Sequence, residues 1–162
     1  MPKTIVVDHE KCTGCMMCAQ ACSLVKTGTV NPAAARIRIL DRESSGITHP
    51  VLCQHCVEAV CVPACPQGAI GKDAKSGIVS IDHRLCVNCT ICRAVCPYAA
   101  PVYSAAEKRV VLCDHCGGEP VCVSSCPTGA LQYVAYEVDR PGPRLSAMAE
   151  IRVAVNGKER RG

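Results

Sequence analysis

The stretch Cys86-Val87-Asn88-Cys89-Thr90-Ile91-Cys92-Arg93-Ala94-Val95-Cys96-Pro97 carries four cysteines spaced C-x2-C-x2-C-x3-C and closes on a proline. Cys12, Cys15, Cys18 and Cys22 repeat that spacing near the N-terminus. Cys53, Cys56, Cys61 and Cys65, followed by Pro66, widen the middle gap to four residues. Cys113, Cys116, Cys122 and Cys126, followed by Pro127, widen it to five. The four groups use all sixteen cysteines of the 162-residue chain. Three cysteines two residues apart lie on a tight loop that can wrap one object, while a fourth, three residues on, begins a helical turn and points away. The proline behind it has a fixed φ and no N–H, which suits the start of the next segment.

Outward from these groups the chain repeats itself. Val7-Asp8-His9-Glu10-Lys11-Cys12 resembles Ile81-Asp82-His83-Arg84-Leu85-Cys86, and Val51-Leu52-Cys53-Gln54-His55-Cys56 resembles Val111-Leu112-Cys113-Asp114-His115-Cys116. Cys61 to Ile70 likewise resembles Cys122 to Leu131. Residues 5–70 and 79–131 therefore read as one duplicated unit with two cysteine groups in each copy.

Composition says what holds such a chain together. There is no Phe, no Trp and only four Tyr, so large apolar surface is scarce. A core this poor in aromatics needs a staple, and bound metal supplies one. No stretch reads as a signal peptide and no apolar run is long enough for a membrane span, so a cytoplasmic location is expected. Thiols in a reducing compartment bind metal rather than pair as disulfides.

The run C-x2-C-x2-C-x3-C-P is the ligand run of bacterial ferredoxins. Structural zinc sites use two separated C-x2-C pairs, which this spacing does not offer. The expected cofactors are four [4Fe–4S] clusters, each contributing about −2 with its thiolates, so the formal +4 becomes about −4 and gives no reason to expect nucleic acid. In two-cluster ferredoxins the fourth cysteine ligates the other cluster. Residues 67–82 read as strand, turn, strand between the second and third groups, which makes those two one contiguous unit. The first and fourth groups then form another, with outer strands at Thr4–Val7 and Ala130–Val134. The expected sets are Cys12, Cys15, Cys18 with Cys126; Cys113, Cys116, Cys122 with Cys22; Cys53, Cys56, Cys61 with Cys96; and Cys86, Cys89, Cys92 with Cys65. Pairing first with second and third with fourth would respect the repeat but leaves the thirty residues between Cys22 and Cys53 unexplained. The fold expected is α+β: tandem 2[4Fe–4S] ferredoxin-like units, short antiparallel hairpins and short helices around clusters, in two pseudo-symmetric halves. One domain would span 1–136, with unit A from 1–30 plus 108–136 and unit B from 50–107. Residues 137–162 would form a C-terminal extension that either stays solvated or docks on a partner.

The order of the motifs, the Cys-x-His-Cys variants at Cys53 and Cys113, and the Cys-Pro-x-Gly-Ala endings resemble the four-cluster ferredoxin-type subunits of molybdenum and tungsten pterin oxidoreductases, such as dimethyl sulfoxide reductase and formate dehydrogenase. In compactness the chain is most similar to the small electron-transfer subunit of bacterial tungsten aldehyde oxidoreductases. That resemblance implies a non-catalytic electron-transfer subunit whose partners are a catalytic subunit with a W or Mo pterin and a flavin/NAD-linked subunit carrying FAD. It also implies that the first/fourth unit faces the catalytic subunit. Exposed clusters at both ends of a row would allow self-association into longer rows.

Sixteen thiolates on four clusters leave no open metal position, and no G-x-G-x-x-G, P-loop or Ser/His/Asp set is present. A carrier for a hydrogenase or carbon monoxide dehydrogenase, and a zinc-stabilised binding module, are the alternatives. His55 and His115 either pack their loops, the weightier expectation, or donate hydrogen bonds to cluster sulfur. His9 and His83, each after an Asp, are expected to stabilise turns. Tyr98, Tyr103, Tyr133 and Tyr136 are expected to pack, and Gly117-Gly118 to be loop slack. Arg36–Leu40 alternates like a strand after a possible helical turn at Ala33–Ala35.

Overall fold

The computed structural model describes residues 3–42 and 47–135. In chain order these form strand β1 (Lys3–Val7), helix α1 (Met17–Thr27), a 3-10 turn at Pro32–Ala34, strands β2 (Arg38–Arg42), β3 (Ile47–Val51), β4 (Ile70–Lys72) and β5 (Val79–Ile81), helix α2 (Ile91–Val95), strands β6 (Val102–Ser104) and β7 (Arg109–Val111), a tight turn at His115–Gly118, helix α3 (Val121–Ser124) and strand β8 (Leu131–Ala135). The fold is mixed α+β, made of short antiparallel hairpins and few helices. Among the described residues the strands pair only as two-stranded ribbons: β1 with β8, β2 with β3, β4 with β5, and β6 with β7.

The ribbon β1–β8 closes the chain on itself, pairing Lys3 with Ala135 and Val7 with Leu131. It joins the two ends expected from the sequence, shifted by one residue. The β4–β5 ribbon is the strand–turn–strand between the second and third cysteine groups, with Ile70 opposite Ile81. Asp73 shapes its turn, accepting from the N–H groups of Lys75 at 3.1 Å and Ser76 at 2.6 Å, an Asx turn of the type that aspartate favours.

Two elements exceed the sequence reading. Spacing at Cys22 implies a single helical turn, yet α1 runs for 11 residues and ends where Gly28, at φ 75°, donates its N–H to the Leu24 carbonyl. Only glycine takes such a C-terminal cap without steric cost. The expected strand Arg36–Leu40 begins at Arg38 and is half of a hairpin with β3. Ser23 Oγ accepts the Asn31 N–H at 3.0 Å, and Asn31 Oδ1 accepts the Ala33 N–H at 3.1 Å, which starts the expected turn before β2.

The interior is small and rich in sulfur. Ile5, Ile37, Leu52, Val79, Val110, Leu112 and Leu131 are buried together with Cys18, Cys22, Cys53, Cys92, Cys113 and Cys122. Thiols and aliphatic chains fill the space that aromatic rings take in most cores. Among the described residues no helix is long and apolar enough to cross a membrane. Residues 136–162, with Tyr136 and the expected C-terminal extension, lie outside the described residues.

Candidate metal centres

Four-residue spacing along a helical turn sets the geometry. Residues at i and i+4 lie one turn apart on one face, about 5–6 Å between Cβ atoms. Cys18 and Cys22 are so placed on α1, Cys92 and Cys96 on α2 and its cap, and Cys122 and Cys126 on and just after α3. In each pair the two thiols face different neighbours. Cys18 lines a cavity of about 320 Å3 with Cys12, Cys15 and Cys126. Cys92 lines one of about 340 Å3 with Cys86, Cys89 and Cys65. Cys96 lines one of about 360 Å3 with Cys53, Cys56 and Cys61. Cys22 lies within electrostatic reach of Cys113, Cys116 and Cys122, three buried or half-buried thiols.

Each of these three cavities gathers four thiols, which points to one kind of occupant. So does the donor set: thiols against apolar walls, with Ile39 and Pro50 at the first cavity and Ile70, Ile81 and Val110 at the second. Backbone N–H groups aim at sulfur, the clearest being Arg36 N–H to Cys22 Sγ at 3.3 Å. Burial pushes the Cys18 and Cys61 thiols up to about 11 and Cys113 up to about 12, against the pull of nearby N–H groups. Cys53 and Cys122 are pushed higher still, again mainly by burial. Crowded thiols of this kind hold their protons until a cation displaces them, so loading the site releases protons. The residues present fit [4Fe–4S] groups.

Each loop makes the same conformational demand. The residue before the second cysteine has positive φ in all four groups: Gly14 at 70°, His55 at 45°, Asn88 at 58° and His115 at 53°. Glycine tolerates this region freely, and Asn and His are enriched there among other residues. Aligning the four C-x-x-C pairs would reveal this pattern from sequence. Two of these side chains also latch a hairpin: Asn88 Oδ1 accepts the Val110 N–H at 2.9 Å, and His55 Nδ1 accepts the Val79 N–H at 2.9 Å.

His55 and His115 pack their loops and are 2% and 0% exposed. Their rings meet edge to face, with centroids 4.2 Å apart. His9 differs from its expected turn role: Asp8 Oδ1 accepts the Glu10 N–H at 3.2 Å, while the His9 ring lies against His49, Nδ1 to Nδ1 at 3.2 Å. His83 is exposed, and Asp82 takes the Arg84 N–H at 2.9 Å in the matching turn. Tyr98 is buried and Tyr133 packs on His115, whereas Tyr103 is exposed. Gly117 and Gly118 are a requirement rather than slack, since both hold positive φ in the turn after Cys116.

One charged cluster has no counterpart in the sequence reading. Asp114 takes Lys26 Nζ at 2.8 Å and Arg36 Nη1 at 3.1 Å, both cations mostly buried. Glu107 lies 3.8 Å from Arg36 and pairs with Arg109 at 2.7 Å. Burial alone would raise the Asp114 carboxyl, but Lys26, the Cys116 N–H and Arg36 together hold it below its ordinary value. Lys72 Nζ reaches from β4 to the carbonyls of Cys56 and Val57, at 2.7 and 2.8 Å.

Comparison with known proteins agrees with this chemistry. Residues 45–136 match the 4Fe-4S dicluster domain family, and residues 5–23 match a 4Fe-4S binding domain. The beta subunit of an NADH-dependent phenylglyoxylate dehydrogenase from Aromatoleum evansii is 41% identical over 133 residues, covering 81% of this protein and 30% of that one. A polyferredoxin-like subunit of an aliphatic sulfonate oxidoreductase from Pyrococcus furiosus is 39% identical over 75% of this protein and 70% of that one. One subunit of the anaerobic dimethyl sulfoxide reductase of Escherichia coli is 33% identical over 78% of this protein and 70% of that one. Among solved structures, a component of the active-site complex BamBC of benzoyl coenzyme A reductase with benzoyl-CoA superposes with a TM-score of 0.52 at 26% identity, covering 98% of this protein and 89% of that one.

Proposed function

Because this protein belongs to the 4Fe-4S dicluster domain family, we propose that it is the electron-transfer subunit of an oxidoreductase complex, with four [4Fe–4S] clusters on the four cysteine sets given above. One observation carries the reading: each lined cavity gathers three thiols from one sequence run and a fourth from a distant run. Structural zinc sites are usually built from two separated C-x2-C pairs rather than from three closely spaced cysteines and one distant one. When bound, each cluster supplies a one-electron couple and no open coordination site.

The protein's own residues do the rest. The helical turns hold the sets in a row: α1 and α3 join the Cys12 set to the Cys113 set, the buried pair Cys53 and Cys113 joins that to the Cys53 set, and α2 joins the last to the Cys86 set. Cys15 and Cys89, one in each outer set, are the exposed thiols. The row therefore opens to partners at both ends, while Cys53 and Cys113 in its middle are shielded from water. The two units, 1–30 with 108–136 and 50–107, follow from this assignment.

The relatives reported above belong to oxidoreductases named for dimethyl sulfoxide, aliphatic sulfonate and phenylglyoxylate, which supports an oxidoreductase complex; the pterin-type catalytic partner, preferred over a hydrogenase or carbon monoxide dehydrogenase, rests on the motif resemblance given above. Within that class we propose the tungsten aldehyde oxidoreductase type, on the motif resemblance given above, with a flavin/NAD-linked subunit as acceptor and residues 137–162 as a docking arm. Iron and acid-labile sulfide analysis of anaerobically purified protein tests the core of the reading. About sixteen irons per chain is the expected value. Zinc in a colourless protein refutes it, and affinity capture that brings down a nickel enzyme instead of a tungsten or molybdenum subunit refutes the partner assignment.

A further inference from the structure

The four cysteine loops share a positive-φ position but fill it in two ways. Gly14 and Asn88 occupy it in the loops of exposed Cys15 and Cys89. Histidine occupies it in the two loops whose first cysteines, Cys53 and Cys113, are buried. The backbone does not require the imidazole, because glycine or asparagine satisfies the same φ. Nor does the hairpin latch, because Asn88 serves Val110 as His55 serves Val79, at the same 2.9 Å.

What only an imidazole pair does here is span the gap between the inner loops. His55 Nδ1 is occupied as an acceptor, so the neutral ring carries its proton on Nε2. Cys53 Sγ lies 3.8 Å from His55 Nδ1, and the His55 ring meets His115 at 4.2 Å and 81°. One nitrogen from each ring and Cys113 Sγ all lie within 4.8 Å of one another. Tyr133 backs His115 at 5.3 Å. Sulfur, ring, ring and sulfur thus form one continuous packed line through the middle of the molecule.

We infer that His55 and His115 are positioning residues for a junction between the two inner cluster sites, placing a shared polar ring pair so that each site senses the charge on the other. The inference rests on the four-site reading proposed above. Its mark is a cross-effect: a substitution in the Cys53 loop alters the site of Cys113.

The test is a redox titration of the iron-loaded protein followed by electron paramagnetic resonance. His55→Asn keeps both the positive-φ tolerance and an acceptor for Val79, as Asn88 shows in its own loop. Replacing the buried ring by an amide is expected to lower the reduction equilibrium about fivefold, about 40 mV for one electron. The expected result is that two of the four midpoints move down together, at unchanged iron content. His115→Asn moves the same two, and the double variant moves them by less than the sum, as contacting residues do. Asn88→Gly leaves both in place. If His55→Asn and His115→Asn each move a single, different midpoint, or none, the junction is refuted while the four-site reading stands. Loss of iron from both variants also refutes it, since asparagine supports the equivalent loop. Iron well below sixteen in the unsubstituted protein refutes the four-site reading instead.

Discussion

Replacing Asn88 separates the backbone strain of a cysteine loop from its hydrogen bond. Asn88 sits at φ 58° and its Oδ1 takes the N–H of Val110, a residue only 2% exposed. Asn88→Gly keeps the conformation and removes the acceptor, leaving a buried N–H unsatisfied at a cost of about 1–3 kcal/mol. Asn88→Ala adds strain of about 1–2 kcal/mol for a left-handed residue with a Cβ. Alanine regains about 0.4–1 kcal/mol relative to glycine by restricting the unfolded chain. The net gap between the two variants is about 1 kcal/mol, or about 2–4 °C for a chain of this length. Anaerobic heating at a fixed scan rate, followed by loss of the iron–sulfur absorption, should rank the unsubstituted protein above Asn88→Gly and that above Asn88→Ala. If alanine equals or exceeds glycine, the positive-φ requirement is not what selects the residue before the second cysteine.

Three further outcomes are expected. Lys72→Met leaves two carbonyls of the Cys56 loop without their ammonium donor, and faster bleaching by a chelator, equivalent to about 1–3 kcal/mol, should follow; an unchanged rate would show that Lys72 does not hold the loop. Asp114→Asn preserves a cap for Cys116 N–H but leaves Lys26 and Arg36 without their carboxylate, and since Asp114 is partly exposed a loss of about 2 kcal/mol in the thermal ranking is expected rather than the full cost of a broken buried pair. The Asp73 carboxyl is held below its ordinary 3.8, first by the Ser76 N–H, then by its hydroxyl and the Lys75 N–H. Its folded value is the depressed one, so its support for the β4–β5 turn is complete above about pH 4 and fades as pH falls through the folded value. The Ser76 amide resonance should shift over that acid range and stay flat in Asp73→Asn.

Much of the site is legible in the sequence because ligation fixes spacing locally. C-x2-C-x2-C can wrap one body, and the fourth cysteine of each run points elsewhere by helical geometry alone. The expected ends of the ribbon at Thr4–Val7 and Ala130–Val134 follow from the same pairing. The length of α1 is hidden because Met17–Thr27 mixes thiols with small residues and its cap, Gly28, looks like loop. The hairpin β2–β3 is half visible, because the alternation in Arg36–Leu40 names one strand and not its partner. The ion cluster is beyond reach: Arg36 and Asp114 are 78 residues apart, and nothing local to either announces the other. The matched positions of His55 and His115 stand out in the repeat, but that their rings touch is a fact of tertiary packing.

The helical pitch that spaces Cys18 from Cys22 and Cys92 from Cys96 has a consequence for biogenesis. Under the proposed assignment each such turn is a hinge pin driven through two neighbouring leaves at once. An unfilled site leaves a loose pin in the site beside it, so iron delivery should proceed by adjacent couples, and half-built molecules should be scarce beside empty and finished ones.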